Sequence, residues 1–228
     1  MTHVPRSEIF DDVYFSAVDG LAESRYVYLE GNKLPDSWVG RGRFTICELG
    51  FGTGLNFLAV LQLLSMIPAE DRPKALHYVS FEKYPLDKGV IEASLSHWGE
   101  LEEVLAQLLS KYPGELTDGI YDLEIAQGIT LTLVIGDVND ALPKLEVKVD
   151  CWFLDGFKPR SNPDMWSDVV FDNMKRLSAQ GTTFSTFTAV GDVRRGLGAV
   201  GFDVHRVAGF GYKWHMLSGT YDGGEQCA

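Results

Sequence analysis

Five short runs rich in β-branched and aromatic residues punctuate the chain: FTICEL (44–49), LHYVSFE (76–82), LTLVIGD (131–137), VDCWFLD (149–155) and TTFSTFT (182–188). Helix-like segments separate them, and that alternation predicts an α/β fold, a Rossmann-like doubly wound sheet with helices on both faces. LNFLAVLQLLSMI (55–67) is apolar on nearly every side, as expected of a helix packed deep against a sheet, and it stops before Pro68. VHRVAGFGYKWHMLSGTY (204–221) reads as two strands joined through Gly209 and Gly211, an antiparallel C-terminal hairpin on a mostly parallel sheet. The connection from 86 to 130 is too long for a simple crossover. Within it, SLSHWGELEEVLAQLLSKYPG (94–114) predicts one amphipathic helix, so 86–130 is expected to be a small helical insertion in a single domain spanning 1–228. Glu100, Glu102 and Glu103 then fall in a solvated first helical turn.

Composition narrows the class. The chain has 228 residues, 45% hydrophobic and 23% charged, which fits one soluble globular domain and excludes disordered or disulfide-stapled scaffolds. No run approaches the roughly 18–20 apolar residues of a membrane-spanning helix, and MTHVPRSEIFDD lacks an apolar signal core, so a cytoplasmic location and no membrane partner are expected. Cys47, Cys151 and Cys227 are odd in number and not spaced as metal ligands, and the first two lie in apolar runs where a thiol packs as a small hydrophobe. The formal net charge of −12 argues against general nucleic-acid binding. That excess lies entirely in residues 1–150, with 12 basic against 24 acidic residues; 151–228 hold 8 of each.

The chemistry concentrates where strands end. In ELGFGTGLNFL (48–58) a strand ends at Glu48, turns through Gly50, Gly52 and Gly54, and opens the apolar helix, presenting amides to a ligand. The G-x-G-x-G spacing is not the G-x-G-x-x-G dinucleotide fingerprint, which disfavours a nicotinamide dehydrogenase. An acid ahead of the glycines repels a pyrophosphate and suits a cation such as the ammonium and sulfonium of S-adenosylmethionine. Further acids stand at Glu82, Asp137 and Asp155, and in a doubly wound sheet all of these edge one crevice. Glu82 has two oxygens for a pair of ribose hydroxyls. Asp137 suits an adenine amino group, with the Val138 amide beside it for a ring nitrogen. Any one of them alone reads equally as a solvated or capping acid. Asp155, followed by Gly156 and Phe157, is placed to orient an amine nucleophile and support its developing charge, with proton acceptance a further possibility. Phe157 offers a face for a flat base.

ELGFGTGLNFL, SFEKYPL, GDV, CWFLDGFKPRSNPDMW and TFSTFTAVGDVRRGL together resemble the methyltransferase domain of the bifunctional tRNA 5-methylaminomethyl-2-thiouridine biosynthesis proteins, a tRNA wobble-uridine methyltransferase family. The likeness begins at DDVYFSAVDGLAESRYVYLEGN (11–32) and covers almost the whole chain. It implies a class I fold that uses S-adenosyl-L-methionine to methylate the 5-aminomethyl group of the wobble uridine in tRNA anticodon loops. It further implies a cofactor site of Glu48, Gly50, Gly52, Gly54, Asn56, Glu82, Lys83, Asp137, Val138 and Asp155, a catalytic role for Asp155, Tyr14 folding over the cofactor, and no metal. Many bifunctional members continue into an FAD-dependent oxidoreductase domain. Nothing of it follows residue 228 here, so that partner is expected as a separate enzyme or as the rest of a longer protein. The C-terminal hairpin reads GFGYKWHM (209–216), with Trp214 and His215 where the family carries positive charge.

For tRNA, basic groups at the cleft mouth are expected to be Lys158 and Arg160 beside the Asp155 loop and Arg194 and Arg195 after the fifth strand, with Phe157 or Trp166 as aromatic platforms. Two other readings remain open at this point: a small-molecule amine transferase on the same fold, and a non-catalytic cofactor- or tRNA-binding partner of an oxidoreductase.

Overall fold

The computed structural model describes residues 4–16 and 19–223; Cys227 lies outside them. A two-stranded ribbon, β1 (Arg6–Ser7) and β2 (Asp12–Val13), precedes α1 (Gly20–Ser24), which runs into a wide π-type turn at Arg25–Leu29. Then come β3 (Arg43–Leu49), α2 (Leu55–Met66), β4 (Ala75–Glu82), α3 (Lys88–Leu95), α4 (Glu102–Lys111), β5 (Gly119–Ala126) and β6 (Ile129–Ile135). The chain continues through α5 (Val138–Ala141), β7 (Val149–Leu154), α6 (Asp168–Leu177), β8 (Ser178–Thr186), α7 (Gly191–Ala199), β9 (Phe202–Ala208) and β10 (His215–Tyr221).

Eight strands form one sheet in the order β5-β6-β4-β3-β7-β8-β10-β9. β6, β4, β3, β7 and β8 pair in parallel, whereas β10 is antiparallel to both β8 and β9. This is the expected doubly wound class I methyltransferase architecture with its C-terminal hairpin. The strand order reverses at β3, since β4 and β6 lie to one side and β7 to the other, and such a switch point opens a crevice at the carboxyl ends of the strands.

Alternation along each strand sorts side chains between two cores. Phe44 and Ile46 of β3, Tyr78 of β4 and Phe153 of β7 pack with the first four helices. Cys47, Leu49, Val79, Trp152 and Leu154 pack with the last three. The same parity places Glu48, Ser80, Glu82 and Asp155 on the α2 side of the sheet. Phe57, Leu58 and Val60 of α2 are fully buried, in keeping with a helix apolar on nearly all sides.

The segment 86–130 departs from the expected insertion in two ways. Its amphipathic stretch 94–114 is not one helix: it takes in the last residues of α3, a break at 96–101 in which Trp98 packs against Phe15 with ring centres 5.2 Å apart, and then α4. Its last part is not helical: Gly119–Ala126 is an edge strand antiparallel to β6. Glu102 and Glu103 are exposed in the first turn of α4, but Glu100 pairs with Arg25 at 2.6 Å and so ties this region to the N-terminal segment.

Candidate functional site

The crevice at the switch point is a cavity of about 410 Å³. Its floor is the turn between β3 and α2. Gly50, Gly52 and Gly54 all have positive φ, +97°, +53° and +80°. A Cβ at Gly50 would lie 2.7 Å from the carbonyl oxygen of Asp155, and one at Gly52 would lie 3.0 Å from the ring of Tyr14. Glycine is therefore required both by conformation and by the close approach of the neighbouring strand end. The Gly52 amide donates to Glu82 Oε2 at 2.8 Å, and the Tyr84 amide to Glu82 Oε1 at 2.9 Å, so β4 is latched to the turn. Burial pushes the Glu82 carboxyl up, partly offset by those amides.

Asp155 stands at the end of β7 with one edge open to the cavity. Tyr28 donates its hydroxyl to Oδ1 at 2.5 Å, and Asn56 Nδ2 donates to Oδ2 at 2.6 Å. The other hydrogen of the same Asn56 amide goes to Glu48 Oε1 at 2.8 Å, while Ser24 donates to Asn56 Oδ1. Ser80 donates to Glu48 Oε2 at 2.7 Å. One asparagine thus joins two carboxyls and fixes both. Burial raises Asp155 to about 7, against the two hydrogen bonds that lower it, with Glu23 raising and Lys213 lowering it further. Burial together with the charge of Asp155 raises Glu48 to about 8.

Other lining residues come from further along the sheet edge. Asp137 caps α5 by accepting from the Asn139 amide at 2.9 Å and pairs with Lys83 at 2.7 Å, which holds its carboxyl below the usual range. Val138 begins that helix and also lines the cavity. Over the mouth, Tyr14 meets Phe157 edge-on at 5.3 Å and Phe157 stacks on Phe10 at 4.7 Å. Lys158 also lines the cavity and pairs with Asp12 at 2.8 Å.

Tyr14, Gly50, Gly52, Asn56, Glu82, Lys83, Asp137, Val138, Asp155, Phe157 and Lys158 are thus brought together around one cavity. Six expected members are not. Glu48 is fully buried beneath the floor, where Asn56 and Ser80 donate to its two oxygens, and burial holds its carboxyl well above the usual range. Gly54 is the left-handed residue before α2 and packs under Phe51. Arg160, Arg194 and Arg195 are exposed and do not line the cavity; Arg195 is drawn to Asp192 one turn away on α7. Trp166 does not line the cavity either, its indole donating to the Phe157 carbonyl at 3.1 Å. Conversely, Ser24, Tyr28, Glu23, Asp12, Phe10 and Lys213 line the site without having been singled out. The only sequence signal for most of them was their place within the resembling stretch 11–32, and for Lys213 its place in the hairpin. Among the described residues no His, Cys, Asp or Glu cluster could hold a metal ion.

A protein from Marinomonas sp. (strain MWYL1), a tRNA 5-methylaminomethyl-2-thiouridine biosynthesis bifunctional protein MnmC, is 49% identical over 218 residues, covering 94% of this chain but 32% of that protein. The Chromobacterium violaceum protein of the same name is 47% identical over 220 residues, again 94% of this chain and 33% of its own length. The chain therefore spans about a third of the length of the curated relatives it matches. The crystal structure of MNMC2 from Aquifex aeolicus superimposes with a TM-score of 0.73 at 20% identity, over 95% of this chain and 66% of that one, a likeness of fold. Residues 99–222, more than half of the chain, match the family described as S-adenosyl-L-methionine-dependent methyltransferase, and the chain belongs to that family.

Proposed function

We propose that the chain transfers a methyl group to the primary amine of the 5-aminomethyl substituent on the wobble uridine of tRNA, giving the 5-methylaminomethyl or 5-methylaminomethyl-2-thio nucleoside. The observation that carries this reading is Asp155: a carboxylate held by Tyr28 and Asn56 beside the glycine turn that floors the cavity. Support for the substrate comes from the names of the relatives, which cover nearly all of this chain at 45–49% identity.

The residues fit the family's cofactor. Gly50 and Gly52 leave a backbone cradle that a Cβ would fill, Glu82 offers carboxylate lone pairs to sugar hydroxyls, and Asp137 with the Val138 amide forms a mixed acceptor and donor edge for a purine. Bound there, S-adenosyl-L-methionine supplies a methyl group made electrophilic by its sulfonium. Lys83 holds Asp137 in place, and Tyr14 closes over the Gly52 side.

Asp155 does the remaining work. An alkylamine with a pKa near ~10 arrives mostly as ammonium and has no lone pair to offer. A carboxylate raised to about 7 is a better proton acceptor for that ammonium than an ordinary aspartate, and it also favours the positive charge that develops on nitrogen. Tyr28 and Asn56 fix the carboxyl so that little reorganisation is needed. Glu48 acts through Asn56 and is a positioning residue. Phe157 and Phe10 offer apolar faces to the base, and Lys158 lies close enough to the mouth for a phosphate.

The step that exposes the primary amine would belong to a partner, an FAD-dependent oxidoreductase domain or a separate enzyme. A cytoplasmic setting follows from the tRNA substrate, and no helix among the described residues is long and apolar enough to cross a membrane.

The test is mass spectrometry of nucleosides from tRNA bearing 5-aminomethyl uridine after incubation with the protein and S-adenosyl-L-methionine. The expected result is one added CH2 unit confined to that nucleoside. Transfer to free polyamines but not to tRNA would favour the small-molecule amine reading instead. Cofactor binding with no transfer to either would favour a non-catalytic partner.

A further inference from the structure

The tip of the β9–β10 hairpin carries the two most exposed large hydrophobic side chains among the described residues, Tyr212 at 92% and Trp214 at 87%. Between them, Lys213 turns the other way and lines the cavity, its Nζ 2.7 Å from Glu23 and 4.8 Å from the centre of the Phe187 ring. The rings are therefore attached to the rim of the site by a single residue.

The tip is also anchored. Tyr26 donates its hydroxyl to the Ala208 carbonyl at 3.1 Å and sets its ring 5.9 Å from that of Phe210. Gly209 donates its amide to the Trp214 carbonyl at 3.3 Å, and a Cβ there would lie 2.2 Å from the Lys213 carbonyl oxygen. The same hairpin exposes Arg206 and His215, in contact at 3.1 Å. Two acids beside it have partners, Glu23 with Lys213 at 2.7 Å and Asp203 with His205 Nε2 at 2.9 Å.

We infer that Tyr212 and Trp214 form a stacking platform for unpaired bases next to the nucleoside held in the cavity, with Arg206 beside the backbone phosphates. The inference rests on the RNA reading above and deepens it. Exposed rings flanked by cations are the means by which single-stranded nucleic acid is held without strict sequence choice. Two rings among Arg206, His205 and His215 are too little apolar surface for a protein partner, whose interface needs roughly 1,200 Å² or more. Stacking also gives an acidic protein affinity that does not depend on many phosphate contacts.

The test uses the full chain, an anticodon stem-loop RNA with 5-aminomethyl uridine at the wobble position, and the corresponding free nucleoside. Tyr212→Ala and Trp214→Ala should each raise KM for the stem-loop about tenfold, with kcat at saturating RNA and KM for the free nucleoside unchanged. Tyr212→Phe and Trp214→Phe should restore most of the loss. An unmodified stem-loop should quench the fluorescence assigned to Trp214 by difference from Trp214→Phe. Unchanged stem-loop KM in the double alanine variant, or no quenching, overturns the inference, as does loss of self-association in that variant with RNA binding intact. If the wild-type protein methylates no RNA, the parent reading fails on its own, and the quenching measurement still decides whether this tip binds RNA.

Discussion

Glu82, Asp137 and Asp155 reach the cavity from the ends of neighbouring parallel strands, with Glu48 directly beneath, whereas Tyr14, Glu23, Tyr28 and Lys213 reach it from the N-terminal segment and a distant hairpin. The first group converges because parallel pairing aligns the carboxyl ends and the two-residue period puts alternate side chains on one face. The second group is joined by contacts that span most of the chain, such as Lys213 to Glu23, 190 residues apart. The floor is thus a property of the sheet, and the cover is a property of particular pairs. Changes to the floor should cost chemistry and folding together; changes to the cover should cost binding.

The largest expected effect is on the floor. Asp155→Asn should lower the methyl-transfer rate about a thousandfold while leaving affinity for S-adenosyl-L-methionine within a few-fold, read by single-turnover kinetics and calorimetry. In the wild type the rate should rise with pH as Asp155 loses its proton around 7, and this limb should vanish in the variant. Equal rates in the two proteins would remove Asp155 from the mechanism.

Gly50→Ala tests whether the floor is also structural. Its positive φ and the 2.7 Å approach to the Asp155 carbonyl predict a loss of about 2–4 kcal/mol in denaturant unfolding. An unchanged midpoint would mean that the turn relaxes without cost.

Glu48 gives a pH signature. Its folded pKa of about 8 lies above the ordinary value of 4.5, so the folded state binds the extra proton. The resulting stabilisation is complete below the unfolded carboxyl pKa and is lost as pH rises through about 8. Glu48→Gln should therefore match the wild-type Tm only below the unfolded pKa of 4.5, exceed it by a growing margin as pH rises toward about 8, and keep a constant lead above that. A wild-type Tm that climbs with pH across this range would contradict the burial of this carboxyl without a compensating cation.

On the cover, Tyr14→Ala should weaken cofactor binding about tenfold with a smaller effect on Tm, because the ring is only partly buried, at the edge of the core, and packs on Gly52 and Phe157 at the mouth. The smallest effect is expected for Arg194→Ala with Arg195→Ala, exposed and not lining the cavity, where stem-loop KM should stay within about twofold apart from a weak general electrostatic term.

The same division explains what could be read in the sequence. Glu82, Asp137 and Asp155 were legible because each ends an apolar run, and Gly50 and Gly52 because they sit between a strand and a helix. Glu48 was legible as a strand-end acid but not as a buried one, since its burial depends on Asn56 and Ser80 arriving from two other elements. Tyr28 and Ser24 were hidden because α1 passes into a wide turn with no clean helical period. The edge strand β5 was missed for a related reason: most of Gly119–Ala126 is exposed or half-buried, and Ile125 alone is buried. Arg194 and Arg195 looked plausible because sequence cannot say which side of α7 faces the crevice.

The most direct measurement is a crystal structure of the protein with S-adenosyl-L-methionine bound. The account predicts the cofactor in the cavity between Gly50–Gly52 and Tyr14, its ribose at Glu82 and its sulfonium next to Asp155. A cofactor seated elsewhere, or one whose sulfonium lies out of reach of any amine beside Asp155, would contradict it.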